Sequence, residues 1–266
     1  MRMSIEQRQL TPIEHQLLLN KWCGEKRIKR ILFDLHDTLV VGRKPFQEKS
    51  RRAKEILGQN VGDGLRDKLW TDFENTNNQL FVAMGVVPER WTELMRILGE
   101  KYKLDPRILR EAEEELMSIY TTPGELIPGT EEGLDNIKAA GIEMGVVTHA
   151  GRKWVGEIFY EGLNLGRWFD WDDIFIIDPK EHKHKTDVEW LAGVRYFGEK
   201  PEDCMAVGDS PAADLNPAWK IGIRQRVLVA RDEIWEMHRE KIIGKYWVIA
   251  SVRELAYLGD SILARY

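Results

Sequence analysis

Cysteine is nearly missing from this chain, with only Cys23 and Cys204 among 266 residues. Two thiols cannot build a disulfide framework, so a hydrophobic core has to hold the fold, and a reducing compartment is the simpler setting. Long apolar runs are missing too. No stretch approaches the roughly 18 consecutive apolar residues of a membrane span, and the opening MRMSIEQRQL lacks the apolar centre of a secretory signal. The expectation is a soluble, cytoplasmic protein with no membrane partner. Nor does one charge dominate: 39 basic against 44 acidic residues leave a formal charge of -5, which gives no electrostatic ground for a nucleic-acid partner. Internal repeats and low-complexity tracts are also absent. What is present, 43% hydrophobic and 31% charged residues, can bury a core and solvate a surface. That excludes a disordered or fibrous chain, and the length suits one large domain or two modest ones.

Apolar runs of strand length recur along the chain at Arg30 to Leu35, Ile142 to Thr148, Asp173 to Ile177, Cys204 to Gly208, Arg226 to Ala230 and Trp247 to Ala250. Their hydrophobicity is continuous rather than alternating, as a strand covered on both faces requires. Helices alternate with them. Thr130 to Ala140 ends before Gly141 and places Leu134, Ile137 and Lys138 near one face, and similar stretches run over Lys153 to Gly162, Asp187 to Tyr196, Ala212 to Lys220 and Val252 to Ala264. Strand and helix in alternation imply an α/β fold, a doubly wound, mostly parallel, Rossmann-like sheet. One segment breaks the rhythm. Between Val41 and Pro123 no strand is evident, and amphipathic stretches run over Gln47 to Leu57, Leu65 to Met84, Glu89 to Tyr102 and Pro106 to Tyr120. The expected organisation is an N-terminal helical extension over 1–27, an α/β core over 28–41 and 123–266, and an inserted helical cap over 42–122.

Open α/β sheets bind ligands beyond the carboxyl ends of their strands. Those positions are unusually polar here. The first strand delivers Asp34, His36, Asp37 and Thr38; the second ends in Thr148 and His149. The loop after the third carries Lys183 and Lys185, and the fourth ends in Gly208, Asp209 and Ser210, with Asp214 beyond. Carboxylates from two strands, hydroxyls and a lysine on one edge suit a hard divalent cation and a phosphoryl group.

This pattern resembles the haloacid dehalogenase superfamily of phosphatases and phosphotransferases. FDLHDTLV matches its first motif, D-x-D-x-T, through Asp34 and Thr38. GVVT matches the second at Thr148, K-T-D-V resembles the third at Lys185 with Lys183 as a rival, and Gly208, Asp209 and Asp214 match the fourth. The resemblance covers roughly 28 to 230. It implies that Asp34 attacks phosphorus to give an aspartyl-phosphate, and that Mg²⁺ binds Asp34, the main-chain carbonyl of His36, and Asp209. Thr38, Thr148, His149 and Lys185 would receive the phosphate. Asp214 and Ser210 would support these groups from behind.

The departure is His36, which stands where the family's phosphatases usually have the second aspartate, the group that protonates the leaving alkoxide. Imidazole can do acid and base work near neutral pH, but its protonated form is disfavoured beside a dication. The expected activity is therefore Mg²⁺-dependent hydrolysis of a small phosphorylated metabolite, with His36 as a candidate acid. Two alternatives stand beside it: a weakly active or inactive binding protein, and an enzyme cleaving a carbon–phosphorus or carbon–halogen bond. His36, His149, His182 and His184 could also be a transition-metal set, although His182 and His184 read equally as exposed loop residues. Trp70, Trp91, Trp154, Trp168 and Trp190 are expected in the core, and Cys204 as an inert buried thiol. Substrate identity and oligomeric state are not legible.

Overall fold

The computed structural model describes residues 10–230 and 246–259. Its elements, in chain order, begin with α1 (Pro12–Lys26), β1 (Arg30–Phe33), α2 (Arg43–Gly58), α3 (Asp63–Met84), α4 (Glu89–Tyr102) and α5 (Pro106–Met117). They continue with α6 (Thr130–Ala139), β2 (Glu143–His149), the short α7 (Arg152–Trp154), β3 (Ile174–Ile177), α8 (Asp187–Tyr196), β4 (Cys204–Gly208), α9 (Asn216–Lys220), β5 (Gln225–Val229) and β6 (Trp247–Ile249). Among the described residues six strands form one parallel sheet, in the order β3-β2-β1-β4-β5-β6.

Both faces of the sheet are covered, which is why its strands are mostly apolar, with charged or polar residues such as Arg30, Glu143 and Gln225 at their ends. Ile31 and Phe33 of β1 face one side, in a core with Leu19 and Trp22 of α1, Leu134 and Ile137 of α6, and Phe159. Leu32 faces the other, with Val147, Trp190 and Val194 of α8, and Ala218 of α9. Strand order reverses at β1, whose neighbours are β2 and β4, so a crevice opens beyond the carboxyl ends of β1 and β4.

Helices α2 to α5 stand between β1 and β2 and share an apolar core of their own, including Leu57, Phe73, Trp91, Leu94, Leu98 and Leu116. The two passages joining them to the sheet run side by side. The Val41 amide donates to the Glu125 carbonyl (2.8 Å) and the Ile127 amide to that of Leu39 (2.9 Å).

Several boundaries differ from the sequence reading. Ala212 to Lys220 is not one α-helix: a π-helical turn over Pro211–Leu215 precedes α9. Pro217 has no amide to continue a regular ladder there. Lys153 to Gly162 likewise passes from α7 into a π-helical stretch, Val155–Glu161. Lys138 is exposed, unlike Leu134 and Ile137. The last helix is a 3-10 segment, Val252–Gly259; its expected continuation to Ala264, and residues 1–9 of the expected extension, lie outside the described residues. Among the described residues no helix is long and apolar enough to cross a membrane.

Candidate active site

Asp34 extends β1 by one hydrogen bond, its amide donating to the Val207 carbonyl (2.9 Å). The chain then turns sharply. Asp37 takes a left-handed conformation (φ 57°), and its carboxylate accepts from the amides of Gly42 (3.3 Å) and Arg43 (2.9 Å). An aspartate is among the few side chains that tolerate this backbone, and it meets the free amides at the start of α2. Thr38 is fully buried behind the turn and donates to Asp34 Oδ2 (3.5 Å).

At the end of β4 the chain turns back on Asp214, which is 1% exposed. Asp214 Oδ2 accepts from the Ser210 amide (3.0 Å), while Ser210 Oγ accepts from the Ala213 amide (3.1 Å). Only glycine fits at 208, because a Cβ there would lie 2.5 Å from Asp214 Oδ2.

Lys185 closes the cluster. It lies immediately before α8, whose N-cap, Thr186, accepts from the Val188 amide through its hydroxyl. Its Nζ is 2.6 Å from Asp34 Oδ1, 2.6 Å from Asp214 Oδ1 and 2.9 Å from the Val147 carbonyl. Burial works against the ammonium, but Asp214 and Asp34 hold its pKa above the ordinary lysine range. Lys183, its rival, is exposed.

Asp34, Asp209 and Asp214 each present a carboxylate oxygen within 4.8 Å of the others'. Burial, together with Asp214, Asp34 and Asp37, pushes Asp209 up to about 8. Burial also lifts Asp214 to about 6 against the pull of Lys185. Negative charge is in excess, since Lys185 and the Arg43 guanidinium, 3.9 Å from Asp209, are outnumbered by the carboxylates. Hard oxygen donors with surplus charge fit a small dication such as Mg²⁺. The Thr148 hydroxyl, fully buried at the end of β2, has no hydrogen-bond partner among the described residues.

A cavity of about 810 Å³ opens above the cluster, lined by Asp34, His36, Asp37, His149, Lys185, Asp209, Ser210 and Asp214 from the sheet edge and by side chains of α2 to α4. Thr38 and Thr148 are not in its lining. Sequence reading missed Arg43, Asn77, Arg90 and Trp154, which are. Arg43 could have been noticed, only nine residues after Asp34; the other three come from distant segments, and Trp154 had been expected in the core.

The histidines do not gather. His36 stacks on Trp154 (4.7 Å between centroids) and meets Phe159 edge-on (4.9 Å). Its Nε2 is shut away from solvent with no partner among the described residues, and burial drives its pKa down to about 4, opposed by Asp37. His149 Nε2 lies 2.6 Å from the His182 carbonyl, so that nitrogen carries the proton. His182 pairs with Glu189 (2.9 Å) and His184 with the Val82 carbonyl (3.1 Å). Among the described residues they form no shared metal site.

Residues 28–221 match the family model of the haloacid dehalogenase-like hydrolases. The chain belongs to that family. Two proteins named glyceraldehyde 3-phosphate phosphatase are similar to it. That of Methanocaldococcus jannaschii is 27% identical over 74% of this chain and 82% of its own; that of Pyrococcus furiosus is 24% identical over 75% and 80%. A haloacid dehalogenase-like hydrolase from Xanthomonas campestris shares the fold, with a TM-score of 0.70, 14% identity and coverage of 90% of this chain and 94% of that one. As a haloacid dehalogenase-like hydrolase, this protein brings three carboxylates and a buried lysine to one edge of its sheet, beside an imidazole packed against Trp154 and Phe159.

Proposed function

We propose that this hydrolase is a Mg²⁺-dependent phosphomonoesterase acting on a small phosphorylated metabolite, with Asp34 as nucleophile. The observation that carries the reading is Lys185 Nζ at 2.6 Å from both Asp34 and Asp214, beside Asp209 and open to the cavity. Mg²⁺ would be held by Asp34, Asp209 and the main-chain carbonyl of His36, and when bound it offsets the repulsion between a carboxylate and a phosphate ester. Asp34 then forms the new bond to phosphorus as the ester P–O bond breaks; the departing alkoxide takes a proton from solvent water, and a second water cleaves the aspartyl-phosphate to release phosphate and restore Asp34. Lys185 holds Asp34 in place and neutralises charge on the transferring group, and Asp214 fixes Lys185. His149, its N–H fixed on the His182 carbonyl, bounds the site, while the Thr148 hydroxyl lies buried behind the cavity lining.

Residues 42–122 act as a cap that excludes water and large substrates, and α1 (Pro12–Lys26) packs on the core of the sheet rather than on the site. The two relatives named for a three-carbon phosphate support a substrate of that size. A second reading, a slow enzyme, is favoured by His36 alone: a ring that stays neutral between Trp154 and Phe159 is a poor proton donor.

The test is release of phosphate from an aryl phosphate, whose leaving group needs little protonation, and from a panel of small alkyl phosphates, with and without Mg²⁺. Turnover that requires Mg²⁺ and disappears in Asp34→Asn is expected. Metal-independent turnover, or full activity of Asp34→Asn, contradicts the reading.

A further inference from the structure

The part of the cavity formed by α3 and α4 carries charge that the hydrolytic cluster does not use. Arg90, in the first turn of α4, is only 6% exposed. A guanidinium so buried ordinarily has a carboxylate partner, because an unpaired buried charge is costly. Here Nη1 donates to the Gly85 carbonyl (3.0 Å), the face of the group lies over Trp91 (4.2 Å to the centroid), and Nε has no partner. Among the described residues no carboxylate pairs with it. Asn77 of α3 is 7% exposed, and its carboxamide oxygen is also buried without a partner. Both residues line the cavity. Every carboxylate in that lining, Asp34, Asp37, Asp209 and Asp214, comes from the sheet edge, whereas the α3–α4 end contributes Arg90 and no acid.

We propose that Arg90 and Asn77 bind a carboxylate at the end of the substrate remote from its phosphate, so that the substrates are short phosphorylated hydroxy acids. This rests on the phosphomonoesterase reading above. With its face against Trp91, the guanidinium has only its edge left to donate from, and an edge donor matches a planar carboxylate. The Asn77 amide adds a second polar contact only through its N–H₂ end, since its oxygen, like the carboxylate, accepts and does not donate. An aldehyde or alcohol at the same place would leave the guanidinium without a counter-charge.

The experiment is calorimetric titration of the full chain, with Mg²⁺, using two uncleavable ligands of the same shape: phosphonopropionate and its amide. The carboxylate ligand is expected to bind on the order of tenfold or more tightly, the range of a charge-assisted hydrogen bond. Arg90→Gln should erase that difference, and Arg90→Lys should keep part of it. A merely structural arginine would lower both affinities together. Equal binding in the natural chain, no binding of either ligand, or a preference that survives Arg90→Gln overturns the inference. If Arg90→Gln does not fold, the natural chain and Arg90→Lys decide. Aryl phosphate turnover by the same preparation separates the two levels: turnover without a carboxylate preference overturns this inference alone, and a preference without turnover overturns the hydrolytic reading alone.

Discussion

At Asp209 the cost of crowding carboxylates is felt by one side chain. Burial and its acidic neighbours push its pKa to about 8 and that of Asp214 to about 6. These values lie above the ordinary carboxylate range, so the folded cluster holds protons that the unfolded chain has released. Its contribution to stability is present at low pH and is lost as pH rises through about 6 and then about 8. A cation must displace those protons to bind. The increase in melting temperature caused by Mg²⁺ should therefore be larger at pH about 8 than at pH about 6, and Asp209→Asn should reduce it. An increase that shrinks between the two pH values would contradict this. Activity of Asp209→Asn should fall by more than the roughly 10–100-fold that loss of an outer partner costs. His36→Asp would place a further buried carboxylate between Trp154, Phe159 and the cluster, so both melting temperature and alkyl phosphate turnover should drop. A gain on alkyl phosphates of the order of 10²-fold or more would mean that the site lacks only a carboxylate acid.

The elements that hold these residues were unevenly legible. Continuous apolar runs gave the strands to within two residues at each end, because strands in a doubly covered sheet are apolar through most of their length. K-T-D-V was readable at Lys185 because Thr186 caps α8 and fixes the lysine just ahead of the helix. Lys183, two residues earlier, falls on the exposed loop. What pattern could not give was the contact between α3 and that loop. Gly85, at the end of α3, has φ 78° and would place a Cβ 2.5 Å from the Lys183 carbonyl oxygen, while His184 Nε2 reaches the Val82 carbonyl. The loop carrying Lys185 is thus pressed from the α3 side. Gly85→Val adds backbone strain of about 1–3 kcal/mol and forces the two apart. It should lower kcat/KM for small esters, as steady-state kinetics would show; unchanged kinetics would mean that this contact has no part in forming the site. Leu94→Ala, inside the α2–α5 core, should cost about 2–5 kcal/mol in a denaturant melt.

For the molecule as a whole, the alternation of strand and helix was enough to give the sheet class. The strand order β3-β2-β1-β4-β5-β6 then explains why Asp34 and Asp209 meet: their strands are neighbours at the reversal of the winding. The far side of the cavity was not legible, because Asn77, Arg90 and Trp154 line it only through the packing of segments that lie far in sequence from Asp34. His36 shows the same limit, since its motif position suggests an acid and its aromatic surroundings make it neutral. The central claim is that this edge of the sheet transfers a phosphoryl group to Asp34. The most direct measurement is acid quenching during steady turnover of an aryl phosphate, followed by peptide mass analysis. The account requires the added mass of one phosphoryl group on the peptide containing Asp34, with Mg²⁺ present and not without it. Sustained Mg²⁺-dependent turnover with that peptide unmodified, or with the phosphoryl group on another residue, would contradict it.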